Sequence, residues 1–184
     1  MTKVFITNPL SPLGLAYSKL ASGLQGYEIK LLPRDLEVVN GLTLPSGSTV
    51  VNLLNPNFGV EDNLNFNLVL PQMIFSKIVY GNVPYNWINI FPEGNHYPDY
   101  AAFLSYLGVQ SYWKAQAAIV AEAELSPLRI LNITCPSRSV SDGDSLTAED
   151  ILSTQQDFIR NPRAKCDSVI ISSQPRALRG WNPS

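Results

Sequence analysis

Short apolar runs of strand length recur along the chain, and the stretches between them carry apolar residues at helical spacing. That alternation restricts the fold more than any other feature, because strands apolar on both faces need helices on both sides, as in a parallel sheet. Lys3 to Thr7, Glu28 to Leu32, Thr49 to Leu54, Trp87 to Phe91, Arg129 to Thr134 and Ser168 to Ser172 read as strands. After the first strand, Asn8-Pro9-Leu10-Ser11-Pro12 turns the chain, with Ser11 as N-cap and Pro12 at the first helical position. Leu13, Ala16, Leu20 and Leu24 repeat at helical spacing, and Gly23 and Gly26 close that helix. Phe66 to Tyr80 and Asp99 to Leu125 read as helices, and Ala148 to Ile159 as a shorter one. Pro33 to Ser48 holds a short strand near Val38-Val39 and has no room for a full crossover helix. The expected fold is a three-layer α/β, Rossmann-like, doubly wound parallel sheet, trimmed in its first half. It takes residues 1–173 as a single domain, followed by a loosely ordered tail, 174–184, with Pro175, Gly180 and Pro183.

The chain has 184 residues, 45% of them hydrophobic and 15% charged, enough for one domain with a substantial core. Its formal net charge of -2 comes without a Lys/Arg cluster, which excludes an electrostatic footprint for nucleic acid or an anionic membrane and leaves small molecules and proteins as partners. No apolar run reaches the length of a membrane span, and Met1 to Pro9 has neither the apolar length nor the cleavage site of a signal peptide. A cytoplasmic location is expected. Cys135 and Cys166, with His96 the one histidine, form neither a disulfide framework nor a metal-ligand set, so no metal is expected and both cysteines read as small buried hydrophobes. Asn132-Ile133-Thr134 matches a glycosylation sequon but lies inside an apolar run.

Leu128-Arg129-Ile130-Leu131-Asn132-Ile133-Thr134-Cys135-Pro136 is similar to an Ile-Arg-Val-Asn-x-Ile-x-Pro-Gly strand and turn, with Ser137 in the glycine's place. Glu149-Asp150-Ile151 through Pro162, then Cys166 to Ile171, has the order of a closing helix and final strand, and Val51-Asn52-Leu53-Leu54-Asn55 resembles an Asn-Asn-Ala-Gly strand end. In these pieces the chain resembles the short-chain dehydrogenase/reductase (SDR) family over nearly its whole length. The family's Thr-Gly-x-x-x-Gly-x-Gly cofactor turn corresponds to Thr7-Asn8-Pro9-Leu10-Ser11-Pro12-Leu13-Gly14, with one glycine of three. Those glycines allow a tight turn and close approach to a pyrophosphate at a helix N-terminus. Pro12 removes an amide donor there. The resemblance implies cofactor contacts from Thr7, Asn8, Leu13, Gly14, Arg34, Asn52 and Lys114. Arg34 stands where an arginine favours NADP, although with Asp35 beside it a solvated turn is the simpler reading.

The family's catalytic set is Ser, Tyr and Lys with a supporting Asn, in which the tyrosine donates the proton. Lys114 matches the lysine and Asn67 the asparagine, but Gln110 replaces the tyrosine, and Ile90-Phe91-Pro92-Glu93 ends the strand that should carry the serine. Four residues is one helical turn, so Gln110 and Lys114 lie on one face. A glutamine can hold a carbonyl but cannot protonate it; His96 or Tyr97, from the loop before that helix, would have to supply the proton. His96 in Gly94-Asn95-His96-Tyr97-Pro98 also reads simply as a surface-loop residue, and Lys114 as a solvated one. Phe103, Tyr106, Tyr112 and Trp113 suit core packing or a face that pairs the 99–125 helix with a second copy. Two functions follow: an SDR-like pseudoenzyme binding a ligand or partner and self-associating through that helix, or a noncanonical NADP-dependent oxidoreductase or isomerase-like enzyme built on Lys114 and Gln110.

Overall fold

A computed structural model describes residues 1–94, 97–123, 126–136, 143–161 and 163–171. The strands are β1 (Thr2–Ile6), β2 (Tyr27–Leu31), β3 (Thr49–Leu53), β4 (Asn86–Pro92), β5 (Arg129–Cys135) and β6 (Cys166–Ile170). They form one parallel sheet in the order β2-β1-β3-β4-β5-β6. The helices are α1 (Pro12–Ser22), α2 (Leu36–Asn40), α3 (Val60–Asp62), α4 (Leu70–Ile78), α5 (Tyr100–Glu122) and α6 (Gly143–Arg160), with a π-helical stretch, Asn63–Val69, joining α3 to α4. Alternate residues of each strand face opposite layers. Phe5, Val50, Trp87 and Ile130 pack under α4 and α5, while Val4, Val51, Ile88 and Leu131 pack under α1 and α6. This is the three-layer α/β sheet expected.

Four local readings change. Val38 and Val39 are helical rather than extended, because the Asp35 carboxylate accepts from the Glu37 and Val38 amides and caps α2, which Gly41 ends. The segment between β2 and β3 thus holds a five-residue helix and no strand outside β2. The helix expected from Phe66 begins at Val60, and the π-helical turns just before Leu70-Pro71 accommodate the proline, which has no N–H to donate back. The helix expected from Ala148 begins at Gly143, and the last strand starts at Cys166 rather than Ser168. The 174–184 tail lies outside the described residues.

Cations close the C-terminal ends of three helices, where unpaired carbonyls and the helix dipole favour positive charge. Lys77 Nζ donates to carbonyls of Val39, Asn40 and Leu42 at the end of α2. Lys165 Nζ reaches the Ala123 carbonyl after α5. Arg129, at the start of β5, donates to Phe158, Ile159, Asn161 and Ala164 carbonyls around the end of α6 and lies 4.5 Å over the Phe158 ring.

Candidate functional site

β1 leads to β2 on one side and, by the return connection, β3 lies on the other, so the strand order reverses between β1 and β3. In open α/β sheets, ligands bind beyond the carboxyl ends of the strands at such a point. A cleft of about 230 Å³ opens there, lined among others by Ser11, Pro12, Asn55, Pro92, Glu93 and Asp144. Its described lining carries those two carboxylates and no Lys or Arg.

Of Thr7, Asn8, Leu13, Gly14 and Asn52, Leu13 lines this cleft, while Thr7, Asn8 and Asn52 are buried and hydrogen-bonded within the fold. Asn8 has φ +49, the left-handed conformation that asparagine tolerates, and is buried. Its Nδ2 donates to Leu53 O at 2.8 Å and to Asn67 Oδ1 at 3.0 Å, so this side chain fills the space that a glycine would leave open. At the start of α1, Pro12 has no amide, and Ser11 Oγ accepts the Gly14 amide at 3.1 Å. A Cβ on Gly14 would sit 2.5 Å from the Asn8 carbonyl, so this glycine is required by the turn folding onto its own helix. With its cradle folded inward, the turn does not fit a pyrophosphate held as a glycine-rich turn holds one.

Asparagine dominates what lies behind the cleft. Asn52, Asn89 and Asn132 are in register on β3, β4 and β5, all facing the α4/α5 layer and all buried. Asn52 Nδ2 donates to Asn89 Oδ1 at 3.0 Å, and Asn89 Nδ2 to Asn132 Oδ1 at 2.9 Å; the Trp87 indole also donates to Asn89 Oδ1, at 2.6 Å. At the β3 end, Thr7 Oγ1 lies 3.5 Å from Asn52 Oδ1 and accepts the Leu53 amide at 3.0 Å. Through Leu53 O the row passes to Asn8 and Asn67. Asn67 is saturated: its Oδ1 accepts from Asn8 and from the Asn55 amide, and its Nδ2 donates to Asn55 O and Asn63 Oδ1, both at 2.8 Å. Asn63 Nδ2 ends the chain on Ser105 Oγ of α5, 3.0 Å away. The π-helical backbone presents the Asn67 carbonyl sideways, and the Trp113 indole takes it at 2.9 Å. Amides neither hold nor release a proton near neutral pH, so this network can position groups but cannot act as an acid or base.

The remaining expected site residues are dispersed. Gln110 lies one turn after Tyr106, whose hydroxyl donates to Pro92 O at 2.5 Å, at the strand end where a serine is absent. Burial pushes the Tyr106 hydroxyl well above its ordinary pKa, against what a proton donor needs. Lys114 is exposed, its Nζ 5.4 Å from the centroid of the Phe91 ring. Tyr97 accepts the Gly94 amide at 3.2 Å and packs 4.9 Å from Phe103, so its expected reach into the site is taken up in holding the loop down. His96 lies outside the described residues. Arg34 lies over Phe58 and Phe66, 4.7 and 5.4 Å from their centroids. Trp113 is a core residue, stacked 5.4 Å from Trp87. The sequence signal overlooked is the repetition of one asparagine between aliphatics in Val51-Asn52-Leu53, Ile88-Asn89-Ile90 and Leu131-Asn132-Ile133. Among the described residues no group of side chains could hold a metal ion, and no helix is long and apolar enough to cross a membrane.

Neither family models nor curated protein sequences give a match to the chain. Solved structures do. A short-chain dehydrogenase/reductase from Vibrio parahaemolyticus superposes with a TM-score of 0.58 at 15% identity, over 92% of this chain and 99% of that one. A 4-hydroxyisoleucine dehydrogenase complexed with NADH and succinate gives 0.62 at 13% identity, over 93% and 99%. A gluconate 5-dehydrogenase from Burkholderia cenocepacia J2315, in complex with NADP and tartrate, gives 0.58 at 11% identity, over 94% of each chain. At these identities the likeness is one of fold: the chain has the Rossmann-like α/β fold of these short-chain dehydrogenase/reductase structures.

Proposed function

We propose that this chain is a binding protein on an SDR-like scaffold, a pseudoenzyme that does not carry out tyrosine-dependent carbonyl reduction. The observation that carries this reading is the Asn8–Asn67 pair. It fills the turn between β1 and α1 and ties it to the π-helical stretch, where a dehydrogenase needs open backbone. Gln110, at the tyrosine's position, and Pro92 at the end of β4 support it, since neither supplies a proton. Calorimetric titration with NADPH and NADH to about 1 mM is expected to give no saturable heat. Saturable binding that Lys114→Ala abolishes would instead support the enzyme reading built on Lys114 and Gln110. Gln110→Tyr is expected to add no NADPH-dependent carbonyl reduction, because one restored group does not rebuild a site whose cofactor turn is closed.

Self-association through α5 belongs to the same proposal. Among its 23 residues only Lys114 and Glu122 are charged, and its outer face exposes Leu104, Leu107 and Ile119 beside Ser111, Ala115 and Ala118. A helix face of this length whose one charge is Lys114, at its margin, suits a second α5 across a two-fold axis. Leu107→Arg is expected to weaken that association at least about tenfold by sedimentation, since a charge would be buried at the seam. An unchanged association constant would remove α5 from the interface.

A further inference from the structure

β2 is an edge strand, and its backbone shows which groups face outward. Gly26 O accepts from the Thr2 amide and the Leu32 amide donates to Ile6 O, so the even-numbered residues turn their groups to β1. By the two-residue period, Tyr27, Ile29 and Leu31 direct their N–H and C=O groups away from the sheet. Leu31 is also 55% exposed, unusual for a leucine in a strand of a covered sheet.

The strand reads Tyr27-Glu28-Ile29-Lys30-Leu31, which is charge-complementary to its own reverse. Laid antiparallel against a second copy with Ile29 on the two-fold axis, Glu28 falls opposite Lys30 and Lys30 opposite Glu28, while Tyr27 falls opposite Leu31. In this register the outward-facing residues 27, 29 and 31 meet as hydrogen-bonded pairs, each exchanging both N–H···O bonds. The charged residues fall at the non-hydrogen-bonded positions, where side chains approach most closely. A one-residue slip would place outward amides against inward ones and break both matches.

We propose that β2 is a self-association edge, at which two copies pair their β2 strands antiparallel about Ile29 and continue the sheet from one molecule into the next. The pairing covers Leu31 with the other copy's Tyr27. In the single chain Glu28 is shared between Lys30, at 2.5 Å, and Lys3, at 4.0 Å, all on one face of the strand. In the pair Lys30 exchanges this partner for the opposite copy's Glu28. The contact is separate from α5, which packs over the other end of the sheet on β4 and β5, and it does not depend on the pseudoenzyme reading.

The test uses the full chain carrying Leu107→Arg, which removes the α5 contribution, and measures sedimentation over a range of concentrations. The expected result is a concentration-dependent dimer. Lys30→Glu weakens it about tenfold by placing like charges opposite one another at two symmetric positions. Glu28→Lys does the same with the opposite sign. Mixing the Lys30→Glu and Glu28→Lys proteins restores association to near the parent value, because each now faces its complement. Ile29→Pro abolishes it without removing a bond to β1, since the Ile29 amide faces outward; the far-ultraviolet spectrum and melting transition report whether that variant folds. A monomer throughout the range, or a dimer indifferent to Lys30→Glu and to mixing, overturns the proposal.

Discussion

Asn89→Ala is expected to lower the free energy of unfolding by about 4 kcal/mol, as large as losing a buried leucine although only a small polar group is removed. The reason is what the substitution strands. The Asn52 amide, the Trp87 indole N–H and the Asn132 carbonyl oxygen each lose a partner at a depth where water does not replace it. Each orphaned group costs roughly 1–3 kcal/mol, partly relieved by relaxation. Urea unfolding monitored by tryptophan fluorescence measures the loss, with Asn82→Ala, an exposed position, as a control expected to stay within about 0.5 kcal/mol. A loss at position 89 no greater than the control would mean that the amide row is not a cooperative network. Asn89→Asp separates hydrogen bonding from packing. Its carboxyl has the amide's shape and, when protonated, can donate to Asn132, but burial penalises the anion and raises the folded-state pKa above the unfolded value of about 3.9. The folded state then holds more protons than the unfolded one, so relative to the parent this variant is most stable below about pH 4 and loses stability as pH rises.

Arg129→Met is the second large effect, expected at about 2–3 kcal/mol. Methionine keeps an unbranched stem against Phe158 but releases the carbonyls of Phe158, Asn161 and Ala164, which the guanidinium gathers at the end of α6. Desolvation lowers the Arg129 pKa from its ordinary value, as expected for a cation satisfied by carbonyl dipoles in place of a carboxylate. Arg129→Lys is expected to recover less than half of the loss, because a single ammonium cannot reach carbonyls fanned around the planar fork. Hydrogen exchange should show the difference locally: the last turn of α6 and the start of β6 exchange faster in both variants, while β1 and β3 are unchanged. Equal acceleration across the whole sheet would assign Arg129 a global role instead of a cap.

The two residues act on opposite halves of one design. Arg129 fastens the α6 side of the sheet from the end where the strands begin, and the asparagine row fastens the α4/α5 side towards the end where they finish. Neither Arg129 nor the row itself lines the cleft; the wider asparagine network reaches it at Asn55. The amide network holds its segments in place through groups that neither take up nor release a proton near neutral pH.

Much of the fold was legible because local patterns decide it. Doubly apolar strands, the Ser11-Pro12 helix start and the Arg129 to Cys135 strand need no tertiary information. At Val38-Val39 the β-branched residues suggest a strand, while an Asp35 cap and Gly41 stop outweigh that preference over so short a segment. At the site, the missing tyrosine, serine and glycines were visible in the sequence, but what occupies their place was not. Asn8, Asn55, Asn63, Asn67 and Asn89 lie up to 81 positions apart (89 − 8), and hydrogen bonds between side chains depend on strand register and helix placement to fractions of an ångström. The same holds for Glu28 and Lys30, an ordinary charged pair until β2 is seen to be an edge with Ile29 facing outward. The sequence by itself determined the layers and placed a glutamine, Gln110, four residues before Lys114, since hydrophobic period and residue identity are local properties. Only the tertiary structure decided that Asn8 pairs with Asn67 and that, among the described residues, no strand lies on the outer side of β2, because both depend on which distant segments come to lie side by side.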